Sequence, residues 1–203
     1  GVEDGARIFQ KIKDNTNLPI LTDVHEKEQV TPLAEVCDIL QIPAFLSRQT
    51  DFVQCVGKSG KPVNVKKAQF MAPEDIVNVV SKLQEVNCND IVLTERGVSF
   101  GYRNLVSDFR SLPTMRELTG LPICYDATHS VQQPGGLGNA TGGKREYVPV
   151  LARAACAVGI DVLFMEVHDK PDEAKSDGPN MLRLSDLKEV LQKCRDISPL
   201  ANE

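Results

Sequence analysis

The sequence predicts a parallel α/β fold, and three features of the chain support that class. Six short runs rich in β-branched and other apolar residues alternate with amphipathic helical patterns. The runs are mostly apolar rather than alternating, as in Ile39–Ile42 and Val162–Met165, which is typical of strands buried on both faces. Buried strands that alternate with helices form a parallel sheet covered by those helices. The predicted strands are Leu18–Val24, Asp38–Leu46, Pro62–Lys67, Asp90–Glu95, Leu121–Ala127 and Asp161–Val167.

Seven helical patterns accompany these strands, and several carry end signals. Pro73 suits the first turn of one helix, and Gly159 suits the end of another. Ser185 is suited to cap the last helix. The four helices with the clearest bounds are Val2–Lys13, Pro73–Val86, Lys144–Val158 and Asp186–Cys194.

The order of the elements points to a barrel. The chain opens on a helix, whereas the first helix of a β/α repeat should follow a strand. A closed parallel barrel has eight strands and typically about 250 residues. The sequence therefore predicts one TIM (β/α)8 barrel domain over residues 1–203, lacking roughly its first two strands and first helix. A complete six-stranded open sheet is the alternative.

The composition excludes several classes of protein. The net charge is −5, which argues against a nucleic-acid binder because such proteins usually present a basic face. No apolar run is long enough to cross a bilayer, and the start of the chain does not resemble a signal peptide, so we expect a cytoplasmic protein. None of the six cysteines forms a Cys-x-x-Cys pair, which favours buried, reduced thiols.

Ionisable residues follow every predicted strand, where the catalytic groups of a parallel barrel gather. Lys66 and Arg96 follow neighbouring strands, and together they suit a phosphate or carboxylate. Ion pairing with Asp23 or Glu95 is the structural alternative.

A second group of residues contains His129, Glu166 and Asp177. One imidazole and two carboxylates could bind a divalent metal, or could serve as acid–base groups around a sugar phosphate. An ordinary turn at Asp177 and a hydrogen-bonded structural histidine explain the same residues, and the spacing does not decide. His25 and His168 fit structural roles better.

The segment 133–144 is rich in glycine but lacks the spacing of a phosphate-binding loop. Gly143-Lys144 is followed by Arg145 rather than by serine or threonine. We expect a mobile active-site loop between a strand and its helix, with an unspecialised surface loop as the alternative.

Six segments occur in order along the chain: Thr22–Glu26, Pro43–Asp51, Asn64–Phe70, Glu95–Tyr102, Asp126–His129 and Asp177–Pro179. Together they closely resemble the 3-deoxy-D-manno-octulosonate 8-phosphate synthases. The resemblance covers about Gly1 to Ile197 and implies a barrel enzyme of lipopolysaccharide biosynthesis. It would join phosphoenolpyruvate, arabinose 5-phosphate and water into an eight-carbon sugar acid phosphate, with release of phosphate.

The resemblance also implies roles for individual residues. Arg48 matches a residue that reaches the sugar phosphate of a neighbouring subunit, and the family is usually tetrameric. The residues implied to bind substrate are Ala44, Phe45, Arg48, Lys66, Gln69 and Arg96. The residues implied to surround the reacting carbons are Asp23, His129, Glu166 and Asp177.

Two departures from the family pattern leave the metal open. A Lys-Ala-Asn-Arg-Ser-Ser-type segment is absent, as is the early-strand position where cysteine marks metal-dependent members and asparagine marks metal-independent ones. In a metal-dependent member, His129, Glu166 and Asp177 would hold zinc, iron or manganese.

Three other functions compete with this one. A related synthase uses erythrose 4-phosphate with the same barrel and the same phosphoenolpyruvate chemistry. An aldolase could form a Schiff base on Lys66 or Lys67. A non-catalytic barrel fragment could only bind phosphate-bearing ligands.

Overall fold

The computed structural model describes residues 1–136, 138 and 141–198. Its internal contacts divide the chain into two compact units. The first unit comprises Gly1–Ala68 and Ala72–Leu93, and the second comprises Gln69–Met71 with the described part of Thr94–Glu203.

The first unit is a parallel sheet with helices between its strands. Its strand order is β1-β2-β3-β4, and β1 pairs with β2, and β2 with β3, in parallel. The last two residues of β4 belong to the second unit. The elements are α1 (Val2–Thr16), β1 (Leu21–Asp23), α2 (Lys27–Val36), β2 (Ile39–Ile42), α3 (Thr50–Gly57), β3 (Val63–Lys66), α4 (Ile76–Gln84) and β4 (Ile91–Glu95).

The apolar patterns of the first unit locate its core correctly. All four residues of β3 are buried, as expected for a strand covered on both faces. In α4 the apolar stripe from Ile76 to Leu83 is buried, while Pro73 opens a 3-10 turn that precedes the helix. These observations confirm the predicted parallel α/β class.

The predicted strand ends are less accurate. The predicted strand Asp38–Leu46 ends at Ile42 in the structure, and Ala44–Leu46 forms a 3-10 turn instead. Pro43 explains the break, because proline lacks the N–H that a central strand must donate.

Asp38 connects α1 to the start of the sheet. Its carboxylate accepts hydrogen bonds from Lys13 Nζ at 2.7 Å and from the backbone N–H of Ile20 at 2.8 Å. The hydrogen bond from Lys13 is the largest of the effects that hold the pKa of Asp38 below its ordinary value. A carboxylate with a lowered folded-state pKa stabilises the fold above its unfolded pKa, and that stability is lost as the pH falls through the folded pKa.

We expect Asp38→Asn to lower the free energy of unfolding by about 0.5–1 kcal/mol at pH 7, since solvent screens this partly exposed pair. In urea titrations the difference from wild type should disappear in acid, below the folded pKa of Asp38. Asp14→Asn is the matched control, because Asp14 only accepts a hydrogen bond from Gln10 on the exposed side of α1. A difference that persisted in strong acid would contradict the ion-pair explanation.

The second unit contains strands β7 and β10 together with three short two-stranded ribbons. Its main strand order is β4-β7-β10, and β7 pairs with β10 in parallel. The ribbons are β5–β6 and β8–β9, which are antiparallel, and β11–β12, which is parallel. The elements are β5 (Val98–Ser99), β6 (Leu105–Val106), α5 (Ser111–Thr119), β7 (Ile123–Asp126), β8 (Gln132–Gln133), β9 (Gly142–Gly143), α6 (Val148–Val158), β10 (Val162–Phe164), β11 (Val167–His168), β12 (Leu182–Arg183) and α7 (Leu184–Ile197).

The helix ends of the second unit test two predictions. Gly159 ends α6 in a left-handed conformation with φ of 98°, as predicted for a glycine at this position. The prediction that Ser185 caps the last helix is wrong. Because α7 follows β12 directly and begins at Leu184, Ser185 lies within the first turn, where its hydroxyl contacts Asp186.

The cysteines and helices agree with the composition. All six cysteines are free, and five of them are buried, which confirms the reduced-thiol prediction. Burial raises the pKa of Cys156 to about 12. Among the described residues, no helix combines the length and apolar character needed to cross a membrane.

Candidate functional site

Arg96 lies in the turn after β4, within the second unit. Glu95 Oε1 accepts hydrogen bonds from the backbone N–H groups of Arg96 at 2.9 Å and of Gly97 at 2.7 Å. Gly97 has φ of 88°, and a Cβ there would approach Leu105 Cβ at 3.2 Å. A glycine and a buried carboxylate therefore fix the backbone from which the Arg96 side chain starts.

Arg96 is an almost fully buried cation, 4% exposed. Its Nη2 donates to Gln132 Oε1 at 2.5 Å, whereas its buried Nη1 has no hydrogen-bond partner among the described residues. Burial lowers the pKa of Arg96, and the charges of Asp126, Glu95 and Asp177 oppose that effect. The guanidinium nevertheless stays protonated at neutral pH. A buried guanidinium with an unused donor suits an anionic ligand.

Gln132 links this cation to the second predicted group of residues. While its Oε1 accepts from Arg96, its Nε2 donates to Asp177 Oδ1 at 2.6 Å. The side-chain amide of Gln132 therefore bridges Arg96 and Asp177 through two hydrogen bonds. The sequence analysis missed Gln132, and no spacing rule would have found it, because its partners are 36 and 45 residues away along the chain.

The His129 ring is oriented by a buried carboxylate. Asp126 Oδ2 lies 2.7 Å from His129 Nδ1, and Asp126 Oδ1 accepts from the backbone N–H groups of Thr128 and His129. We assign the proton to Nδ1 because the facing group is a fully buried carboxylate. His129 Nε2 then faces Glu166 Oε1 at 3.5 Å. An imidazole fixed in this way is suited to metal binding or to proton transfer.

The donor atoms of His129, Glu166 and Asp177 lie close together in the structure, and their role in metal binding or acid–base chemistry stays a prediction. One donor atom from each lies within 4.8 Å of the other two. Ligands of a tetrahedral divalent ion, bound at about 2.1 Å, lie about 3.4 Å from one another, so the three donors would move inward by up to about 1.4 Å to hold such an ion. The donor set, one imidazole and two carboxylates, suits zinc, iron or manganese.

Gln69 belongs to the same unit as Arg96. It is 5% exposed, its backbone carbonyl accepts from Ser99 N–H at 2.9 Å, and its side-chain Oε1 is buried without a partner among the described residues. A buried amide oxygen without a partner is costly unless a ligand or water satisfies it.

Polar residues of the first unit form a ladder across three strands. Asn64 Nδ2 donates to Gln41 Oε1, and Gln41 Nε2 donates to Asp23 Oδ1, each at 2.6 Å. The ladder fixes the carboxylate of Asp23 at the end of β1. Lys66, at the end of β3, is 6% exposed, and the next residue, Lys67, is fully buried.

Other predicted positions differ in exposure. Ala44 is buried, the Phe45 ring is 71% exposed, and Arg48 is exposed, with its backbone carbonyl accepting from Lys82 Nζ. Their roles in substrate binding stay predictions, as does the convergence of Lys66 and Arg96.

The glycine-rich segment 133–144 has ordered ends. β8 and β9 form an antiparallel ribbon that closes it, and Gln132 and Gln133 pair with Gly143 and Gly142. Part of the predicted mobile loop, Leu137, Asn139 and Ala140, lies outside the described residues. Its mobility stays a prediction.

The whole chain, residues 1–203, matches the DAHP synthetase I family. The chain belongs to this family. A 2-dehydro-3-deoxyphosphooctonate aldolase of Synechococcus sp. is 60% identical over 192 residues, which are 95% of this chain and 67% of that protein. Proteins with the same name from Geobacter sulfurreducens and Citrifermentans bemidjiense are 56% and 54% identical, covering 98% and 100% of this chain and 73% and 74% of their own lengths.

Membership of the family confirms the resemblance found in the sequence. The phosphooctonate aldolase name of these relatives denotes the same enzyme class as the octulosonate 8-phosphate synthases. The structure of the second unit brings together three of the resembling segments, those around Arg96, His129 and Asp177.

Proposed function

We propose that this protein condenses phosphoenolpyruvate with arabinose 5-phosphate and water to give 3-deoxy-D-manno-octulosonate 8-phosphate and inorganic phosphate. The relatives that cover at least 95% of the chain carry the name of this enzyme. The observation that carries the proposal is the buried Nη1 of Arg96, which has no hydrogen-bond partner in the described part of the chain and whose guanidinium is joined through Gln132 to Asp177. This arrangement supports the binding of an anion next to side chains that can transfer protons.

Phosphoenolpyruvate is the anion that we assign to Arg96. Its phosphate and carboxylate both suit a guanidinium, which can donate two parallel hydrogen bonds. Gln69 adds a buried polar group in the same unit. Lys66, Ala44 and Phe45 keep their proposed roles in binding this substrate, and Arg48 keeps its proposed role toward the sugar phosphate, on the strength of the family resemblance.

The reaction forms one carbon–carbon bond and one carbon–oxygen bond, and it breaks one carbon–oxygen bond. Carbon 3 of phosphoenolpyruvate attacks the aldehyde carbon of the sugar, while water adds at carbon 2. The bond between carbon 2 and the phosphate oxygen then breaks. Of the two protons of the water, one ends on the former aldehyde oxygen and the other leaves with phosphate.

The groups around His129 suit the proton transfers of this reaction. Asp126 holds the ring so that Nε2 is presented beside Glu166. We assign His129, Glu166 and Asp177 to the control of the aldehyde oxygen and the attacking water, and Asp23 to the same reacting carbons. If a divalent metal is bound, these first three residues would hold it, and it would polarise an oxygen of the substrates.

The related reaction with erythrose 4-phosphate is the main competing function. The whole gene product should be incubated with phosphoenolpyruvate and equal concentrations of arabinose 5-phosphate and erythrose 4-phosphate. The two possible products should then be quantified by mass spectrometry. We expect the eight-carbon product to dominate. A predominantly seven-carbon product would replace the proposal with the erythrose 4-phosphate synthase.

The Schiff-base function is tested separately. Borohydride reduction in the presence of pyruvate should give no covalent adduct, because the proposed chemistry needs no imine. An adduct on Lys66 or Lys67 would overturn the mechanism.

The remaining assignments belong to the same proposal. We infer that the parallel strands of the two units are six of the eight strands of a TIM barrel. A homotetramer in the cytoplasm, working in lipopolysaccharide biosynthesis, follows from the family resemblance. The alternative of a non-catalytic phosphate-binding fragment would predict ligand binding without product.

A further inference from the structure

The turn that carries Asp177 has an unusual backbone. Asp177 has φ of 54°, in the left-handed region that residues with a side chain seldom adopt. Its carbonyl accepts from the N–H groups of Asn180 at 2.8 Å and Met181 at 3.2 Å, which closes the turn. Such a conformation persists only where the surroundings hold it, so the residues that grip this turn matter for the position of the carboxylate.

Arg145 donates hydrogen bonds to the turn from both its backbone and its side chain. Its N–H donates to the carbonyl of Pro179 at 3.1 Å, and its Nη2 donates to the carbonyl of Gly178 at 2.6 Å. These are the two carbonyls that follow Asp177 directly. Arg145 lies two residues after β9 and begins the 3-10 turn that leads into α6, so it is anchored to regular structure on both sides.

The Arg145 guanidinium is also tied to the surface. Its Nη2 lies 2.9 Å from Asp172 Oδ1, and this contact lowers the pKa of the exposed Asp172. The guanidinium therefore joins an exposed carboxylate to the carbonyl of Gly178. The Asp172 contact can be removed without removing the contact to the turn, which offers a control.

Close packing confines the turn on two other sides. A Cβ at Gly178 would lie 2.4 Å from the carbonyl oxygen of Pro171, and a Cβ at Gly143 would lie 1.4 Å from Asn180 Oδ1. Packing therefore confines the turn on these sides, and the hydrogen bonds from Arg145 hold it at the carbonyls of Gly178 and Pro179.

We propose that Arg145 is a positioning residue that holds the Asp177 turn, and thereby the Asp177 carboxylate, in the geometry needed beside His129 and Glu166. Arg145 acts through Gly178 and Pro179, not by touching the substrate. The importance of Asp177 for turnover rests on the proposed function, whereas the hydrogen bonds by which Arg145 holds the turn do not.

The kinetic test compares Arg145→Met, Arg145→Lys and Asp172→Asn in the whole gene product. Arg145→Met should lower kcat by about 10- to 100-fold, the usual cost of losing a group that orients an active-site ligand. The KM for phosphoenolpyruvate should change less than about twofold, because Arg96 and Gln69 are untouched. Arg145→Lys should restore part of kcat, since lysine keeps the charge but not the fork of donors.

Asp172→Asn should leave kcat within about twofold of wild type, because the hydrogen bond to Gly178 remains. A wild-type kcat in Arg145→Met would overturn the proposal. So would a loss in which kcat, KM and the melting temperature all worsen together, since that pattern describes a general structural role.

Hydrogen exchange gives a readout that does not need turnover. In Arg145→Met the amides of Asn180 and Met181 should exchange at least about tenfold faster than in wild type, while that of Val190 in α7 stays unchanged. Unchanged exchange at the amides of Asn180 and Met181 would overturn the proposal that Arg145 holds the turn. If the wild-type protein makes no product, the proposed function fails, and the exchange comparison still decides whether Arg145 holds the turn.

Discussion

Replacing Arg96 by methionine should lower kcat/KM for phosphoenolpyruvate by about 1,000-fold, as removal of one partner of a buried charged pair costs roughly 2–5 kcal/mol. Arg96 is 4% exposed and has one guanidinium nitrogen without a partner among the described residues, so its loss removes a desolvated donor. The substitution also leaves Gln132 Oε1 without its donor.

Calorimetric titration with phosphoenolpyruvate alone would locate the effect in binding, and steady-state kinetics would give its size. Arg110→Met is the matched control, since Arg110 is an exposed arginine of the same unit that pairs only locally with Asp108. Arg110→Met should behave as wild type. An Arg96→Met protein that folds and binds phosphoenolpyruvate with unchanged affinity would remove Arg96 from the substrate site.

The second large effect is expected at His129. His129→Ala should lower kcat by about 100- to 10,000-fold, the range that a positioned acid–base group contributes. Asp126→Asn should lower kcat by a smaller factor, about 10- to 100-fold, because it weakens the orientation of the ring without removing it. The order of these two effects follows from the 2.7 Å contact between Asp126 and His129 Nδ1.

His168→Ala is the control for the histidine substitution. His168 is partly exposed and contacts Asp169 and the backbone of Lys170. It is not one of the grouped donors His129, Glu166 and Asp177. It should retain wild-type kcat. Equal losses in His129→Ala and His168→Ala would show that the effect reflects histidine loss in general rather than the proposed site. Assays with and without a chelator, on wild type and His129→Ala, would show whether a metal takes part.

Periodicity predicted much of the fold because it reports burial directly. The mostly apolar runs predicted the strands β2, β3 and β7, and the stripe from Ile76 to Leu83 predicted α4. Ends were less predictable. Ser185 has the right chemistry for a cap, but tertiary context starts α7 at Leu184, two residues before the predicted start.

The sequence predicted which residues carry the chemistry of the site better than it predicted the hydrogen bonds that position them. His129, Glu166 and Asp177 each follow a strand or a short ribbon, and a parallel sheet gathers such positions at one edge. The partner Gln132 went unassigned because side-chain hydrogen bonds over long sequence separations leave no periodic signal. Asp126 lies only three residues before His129 and belongs to the resembling segment Asp126–His129, but its part in orienting the ring shows only in the structure. Arg145 went unassigned for the same reason, since its partners Gly178 and Asp172 are 33 and 27 residues away.

The central claim is that the protein turns phosphoenolpyruvate and arabinose 5-phosphate into one sugar acid phosphate with release of phosphate. Phosphorus NMR of the whole gene product with both substrates follows every phosphorus atom in one sample. We predict that the two substrate signals fall together while inorganic phosphate and one new sugar phosphate rise in equal amounts, and that nothing changes when the sugar is left out. Phosphate released at the same rate without the sugar, or no change with both substrates present, would contradict the claim.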